Sequence, residues 1–380
     1  MGRARGVKAV AVGAALFGMV GWAAAGRADV TTERSASILV FPKLVFDSSG
    51  LLSGGTSVDT IIQISNTSNS MVFAHCFYVN ATPVDPSQPV GATNPAQWQE
   101  VDFEIVLTKQ QPTHWVLSSG RLDDPTDNRS CNADCSTAGF DPGRIPPAGS
   151  DPFIGELRCI EVDSSGAPIS GNHLKGEATL VYGDAQASKY NAVGILGLTD
   201  SNNGDSVLCL GGSDKCPNGA EYNACPGVLT LNHFAELASD PVVEGLEHGW
   251  SSVATELTLV PCTQDFENQV APPVVVQFLI TNEFEAQFST STTVTCWGNF
   301  RLNTIGNVGR ILEVGTLGSR FAQTRMAPAT PEDGGVLGVA EEFHEVRGPA
   351  NSVATGRAAL NLFGDGVRPR GDVITLPGAF

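Results

Sequence analysis

Between Val101 and Thr108 the residues alternate in character: Val101, Phe103, Ile105 and Leu107 fall on one face of an extended strand, and Asp102, Glu104 and Thr108 lie mainly on the other. Comparable short runs recur along the whole chain. Its 42 glycines and 23 prolines cut them before they reach helical length, which restricts the fold to an all-β architecture. Further strands are predicted at 37–41, 60–65, 71–79, 115–118, 156–162, 177–182, 193–198, 256–260, 274–281, 292–297 and 358–363. Helical signals are confined to a turn or two at 234–239 and 339–344.

Asn66-Thr67-Ser68-Asn69-Ser70 and Asp163-Ser164-Ser165-Gly166 read as hairpin loops, so neighbouring strands are expected to pair antiparallel. Four blocks recur in the same order in both halves. Leu39-Val40-Phe41-Pro42 matches Thr258-Leu259-Val260-Pro261, and Ile64-Ser65-Asn66 matches Ile280-Thr281-Asn282. Cys76 answers Cys296, and the stretch from Gly176 to Asp184 answers that from Gly356 to Asp365. The expectation is two antiparallel β-sandwich modules, immunoglobulin-like in the broad architectural sense and related by an internal duplication. The first, 29–249, would carry long cysteine-rich insertions at 119–154 and 199–249; the second would span 250–380.

Residues 1–28 have the pattern of a cleaved signal peptide. Arg3, Arg5 and Lys8 precede an apolar, acid-free run to Ala25, and Ala23 to Ala28 offer small residues for cleavage. Later apolar runs are strand-length, so an exported chain without an integral membrane span is expected, periplasmic or extracellular. Loss of the first 25 residues removes three positive charges and no acid, moving the formal charge from -18 to -21 (-18 - 3). Such a balance, with Lys and Arg scattered, disfavours nucleic acid as a partner.

Nine cysteines follow the leader: Cys76, Cys131, Cys135, Cys159, Cys209, Cys216, Cys225, Cys262 and Cys296. In an oxidising compartment they read as disulfide candidates, with one left over. Their spacings contain no C-x-x-C pair for zinc and no C-x-x-C-H for attached haem. No cofactor is required by any motif. Calcium is the one cation for which the sequence offers a loop: Asp200, Asn202 and Asp205 surround Gly204, although Gly211 stands where a helix-flanked calcium loop needs a carboxylate, and a plain turn uses the same residues. Asp123, Asp124, Asp127 and Asn128 form a weaker second cluster.

Hydrolase elbows, zinc-protease helices and phosphate-cradling loops are absent from the sequence. His75 and Cys76 are adjacent and should point to opposite faces of a strand. His344, between Glu342 and Glu345, reads as part of a solvated acidic turn, and Arg370-Gly371-Asp372 as a bend. Two function classes follow. The first is an exported non-enzymatic binding, structural or adhesion protein of a bacterial envelope, meeting a cell-surface component, a glycan or a second copy of itself. The alternative is a secreted hydrolase of polysaccharide or peptide that works through acidic loop residues.

Overall fold

A computed structural model describes residues 30–378 apart from 53, 89–93, 122–143, 199–203, 213–215, 217–218, 237–250, 271, 307–309, 331, 348–351 and 369. The described residues form strands joined by turns, with one four-residue helix, Val314–Leu317, and one short 3-10 turn. The segment 1–28, read as a signal peptide, lies outside them.

The strands form five sheets. The first contains β1 (Val30–Thr31), β2 (Ile38–Phe46), β4 (Val72–Asn80), β5 (Gln99–Leu107), β7 (Phe153–Val162) and β10 (Val193–Ile195), in the order β1-β10-β2-β7-β4-β5. The second is β6-β3-β8-β9, built from β3 (Val58–Asn66), β6 (Pro112–Val116), β8 (Leu174–Tyr182) and β9 (Ala187–Asn191). A small third sheet, β11-β22-β14, joins β11 (Val207–Leu210), β22 (Asp372–Thr375) and β14 (Gln264–Asp265). The fourth, β16-β15-β18-β12-β21, uses β12 (Pro226–Phe234), β15 (Val274–Asn282), β16 (Gln287–Val294), β18 (Phe321–Pro328) and β21 (Phe363–Val367). The fifth, β17-β13-β19-β20, uses β13 (Ser251–Pro261), β17 (Gly298–Arg301), β19 (Val336–Arg347) and β20 (Val353–Asn361).

These small sheets, set face against face, make a five-bladed β-propeller arrangement, not two immunoglobulin-like sandwich modules. The all-β class expected from the alternation holds, and the sandwich reading is corrected. Its physical failure is visible in the first sheet. A two-sheet sandwich leaves one face of each strand wet, whereas β2, β4 and β7 are buried on both faces along almost their whole length. One face, with Leu39, Phe41, Tyr78 and Leu157, packs on Ile62, Ile64, Trp115 and Leu180 of the second sheet. The other, with Ile38, Val40, Phe77, Val79 and Ile160, packs on Leu208, Leu210 and Ile374 of the third sheet and on Phe266. A third core lies between the fourth sheet (Leu231, Phe278, Ile280, Met326) and the fifth (Val253, Leu257, Leu259). Each large apolar side chain fully buried in this way contributes roughly 1.5–3 kcal/mol relative to exposure.

Of the two loops read as hairpins, 163–166 does turn the chain back on itself, with the Asp163 N–H donating to the Ala167 carbonyl at 2.8 Å and an antiparallel bridge between Val162 and Pro168, whereas 66–70 is a crossover between sheets. β3 pairs with β6 and β8, while β4 pairs with β5 and β7. The Asn66 side chain accounts for this crossing. Its Nδ2 donates to the carbonyls of Ser70, Leu107 and Thr108, and its Oδ1 accepts from the Ser68 N–H at 2.7 Å, so the chain is drawn across to the first sheet. Of the recurring blocks, Ile64-Ser65-Asn66 and Ile280-Thr281-Asn282 end strands of equal length, and Asn282 likewise accepts from backbone N–H groups two and four residues on. The stretches after Gly176 and Gly356 do not correspond: β8 pairs with β3, whereas β20 pairs with β19. The segment 339–344, expected to be a helical turn, is the middle of β19.

Candidate functional site

The second sheet carries an open groove on its outer face. Its inner side chains Ile62, Ile64, Trp115, Ala178 and Leu180 are buried, so their neighbours in sequence face outward. Strand register then aligns a polar row across all four strands: His114 opposite Gln63, Gln63 opposite Glu177, and Glu177 opposite Asn191. A second row sets Pro112, Ser65 and Lys175 side by side. A groove of about 520 Å³ runs over these rows, lined by Gln63, Ser65, Thr67, Pro112, Thr113, His114, Lys175, Gly176 and Glu177.

The floor is held from beneath. A Cβ on Gly176 would come within 2.5 Å of the Phe41 ring, so glycine lets β8 lie directly on that core aromatic. Lys175 is tethered by its Nζ, which donates to the Glu33 carbonyl at 3.0 Å, and Glu177 is ion-paired with Lys189. Arg121 donates to the Thr113 hydroxyl at 2.6 Å. Gln63 and His114 are exposed, and the groove presents amide, hydroxyl, imidazole, ammonium and carboxylate groups at the roughly 5 Å spacing of neighbouring strands. Such an array can exchange several hydrogen bonds at once with a ligand rich in hydroxyls.

Two buried ionic clusters tie the first sheet to the fifth. At the irregularity between Phe41 and Leu44 in β2, Lys43 Nζ lies 2.8 Å from Glu341 and 3.1 Å from Glu256. These two glutamates are direct cross-strand partners on β13 and β19. Tyr182 and Ser188 each donate a hydroxyl to Glu341 Oε1 at 2.6 Å, and the Tyr190 hydroxyl donates to the Lys43 carbonyl at 2.6 Å. Burial pulls the Lys43 pKa down, but Glu341 and Glu256 outweigh it and hold the ammonium above the ordinary lysine range. Burial likewise pushes both carboxyls up, and Lys43 overrides it, so both are held below the usual carboxylate range. A general acid needs a carboxyl that keeps its proton near neutrality; both carboxyls of this pair are held ionised, sharing one ammonium.

In the second cluster the Arg158 guanidinium donates from Nη1 to the Cys262 carbonyl at 2.8 Å, from Nη2 to the Pro261 carbonyl and from Nε to Glu156 at 3.2 Å. Gln264 completes Glu156 with a donated bond of 2.6 Å. Desolvation pushes the Glu156 carboxyl up, and Arg158 and Gln264 pull it back toward the ionised form.

Of the loop read as a calcium site, Asp200 and Asn202 lie outside the described residues. Asp205 is described, and its Oδ1 accepts the Val207 N–H at 2.8 Å, an Asx turn leading into β11. The cluster at Asp123, Asp124, Asp127 and Asn128 also lies outside, as do Cys131 and Cys135. The remaining cysteines form the disulfides Cys76–Cys159, Cys209–Cys216 and Cys225–Cys262, with Cys296 buried as a free thiol whose pKa desolvation raises. Cys225, Cys262 and Asp372 sit close enough to suggest a metal set, but the two sulfurs are spent on one bond. Asp372, the acid of the Arg-Gly-Asp tripeptide, is buried, ion-paired with Arg368 and accepts from Thr263 and Gly335, so it is not displayed to a partner.

His75 and Cys76 do point apart. His75 meets Asp102 at 2.9 Å, while Cys76 bonds to its cross-strand partner Cys159. His344 stands on β19, 3.5 Å from Glu342, not in an acidic turn. Sequence reasoning missed Lys43, Arg158 and the Gln63 row. A single charge inside an apolar run, as in Phe41-Pro42-Lys43-Leu44, was the available signal for the first.

Three disulfides fit a protein folded outside the cytoplasm. No helix among the described residues is long and apolar enough to cross a membrane.

No family model matches the chain, and no curated protein does. Among solved structures, the chain aligns with the naturally occurring empty particle (top component) of cowpea mosaic virus at 9% identity, covering 93% of this chain and 92% of that one, with a TM-score of 0.17. A Pleurotus ostreatus lectin in its apo form aligns at 11% identity over 94% and 87% of the two chains, with a TM-score of 0.15. Likeness at that level carries no argument about fold or function.

Proposed function

We propose that the protein is an exported, non-enzymatic binding protein of the cell envelope, and that the outer face of the second sheet takes a neutral, hydroxyl-rich ligand of the glycan class. The observation that carries this reading is the aligned row His114, Gln63, Glu177 and Asn191, set in register across four strands beside the groove. Its donors and acceptors stand on strands, which hold geometry better than loops do. The groove is open and its polar groups are solvated, so binding is expected in the weak, roughly millimolar to micromolar range.

The test is calorimetric titration of the purified full chain with a panel of neutral oligosaccharides, repeated with Gln63→Ala/Ser65→Ala. Both side chains face outward, so the variant keeps its melting temperature. Loss of two hydrogen bonds of about 1 kcal/mol each predicts affinity reduced by roughly tenfold or more. Binding to no member of the panel, or equal binding by the variant, overturns the proposal.

A further inference from the structure

The edges of the five sheets are protected unequally. Edge strands expose rows of unpaired N–H and C=O groups, and proteins blunt them with charge, proline, brevity or a covering element. Strand β5 carries Glu100, Asp102 and Glu104. Strand β6 opens on Pro112, and β1, β11, β14, β17 and β21 have five residues or fewer. Strand β20 is covered by β9: Asn191 and Asn361 exchange two hydrogen bonds, and Arg357 reaches Asp184.

Strand β16 is neither charged, proline-bearing nor short, and among the described residues no further strand pairs with its outer edge. Its eight residues, Gln-Phe-Ser-Thr-Ser-Thr-Thr-Val, contain no charge, proline or glycine. It pairs on one side with β15. Among the described residues, its other side receives no backbone hydrogen bond.

We infer that β16 is the docking edge for a second copy of this chain, paired antiparallel across a twofold axis. Charge favours a copy at this place. Each chain has a formal charge of -18, so two copies repel over most of their surfaces and least along a strand that carries no charge. Sequence favours it too. With the axis at Ser291, Phe288 stands opposite Val294, Thr290 opposite Thr292, and Ser289 opposite Thr293, which are aromatic to β-branched and hydroxyl to hydroxyl pairs of the kind that stabilise adjacent strands. The contact is isologous, so it closes at two copies and joins two five-stranded sheets into one continuous sheet. The glycan face stands on a different sheet, so either inference can fail without the other.

Sedimentation equilibrium of the full chain is expected to give twice the chain mass. Ser289→Lys/Ser291→Lys sets like charges across the axis and should return a monomer with an unchanged melting curve. Independently, Ser291→Cys places two thiols at the axis and should cross-link under mild oxidation into a dimer that reduction separates. A wild-type chain that stays monomeric at every concentration reached, or a dimer that survives the lysine pair and does not cross-link through position 291, overturns the inference.

Discussion

Lys43 and Arg158 both stand on the first sheet, both are buried, and both reach the fifth, yet they hold it in different ways. Lys43 meets side chains, two carboxylates on neighbouring strands, and one of these, Glu256, keeps about 25% of its side chain in solvent. Arg158 meets backbone. Two of its bonds end on the carbonyls of Pro261 and Cys262 at the end of β13, and its own side chain and that of Glu156 are fully enclosed. The lysine cluster can relax when disturbed, because water and a proton can reach Glu256. The arginine cluster has no such outlet, so its loss strands a buried charge and two carbonyls together.

That contrast can be broken by substitution. Arg158→Met should cost the most, about 3–5 kcal/mol, read as a fall in the urea midpoint with little change in slope. Lys43→Met leaves Glu256 and Glu341 facing each other, and should cost less, about 2–3 kcal/mol, because Glu256 is partly wet. Adding Glu256→Gln to Lys43→Met removes the repulsion and should restore about 1 kcal/mol or more. If Lys43→Met proves the more damaging of the two, the distinction between an outlet and none is wrong.

His233 sharpens the comparison as a buried titratable group with no countercharge among its hydrogen-bond partners. Its ring bonds to the Phe234 carbonyl and the Thr324 hydroxyl. Burial lowers its pKa from 6.5 to about 4. The unfolded chain therefore binds the extra proton, so this contribution is present above pH 6.5 and drains away as pH falls toward 4. From about pH 7 to about pH 6 the loss is about 0.7 kcal/mol. Glu100, whose carboxyl burial pushes up to about 7, titrates with the opposite sign. The measurement is thus the difference between wild type and His233→Gln: thermal midpoints converging as pH falls are expected, and parallel curves would count against this account.

What could be read from sequence followed from where polarity sits. Strand β5 was legible because Phe103, Ile105 and Leu107 are buried while Asp102 and Glu104 are not, although Val101 at its start is exposed. Strands β18, β12 and β19 were missed because their inward positions include polar residues: Thr324 on the first, His233 on the second, Glu341 and Glu342 on the third. Pattern reading scores these as solvent-facing. The sandwich expectation failed for a related reason. The continuous apolar run Ile38-Leu39-Val40-Phe41 means burial on two faces, a layer between layers, and alternation alone does not count layers. The Gln63 row had no sequence signature, since strand pairing, not spacing along the chain, brings His114 and Glu177 beside it.

The lysine cluster also sets an order on synthesis. Lys43 is made early, and its partner Glu341 stands 298 residues further along the chain. Until β13 emerges, β2 can pair with β7 and cover one face on the second sheet, but it carries an ammonium that has no acid to meet; Glu256 arrives first, 213 residues on, and Glu341 only with β19. The lysine site is therefore complete only once β19 has been made. Any truncation before residue 341 should yield a protein that collapses without closing, prone to aggregate from the N-terminal side.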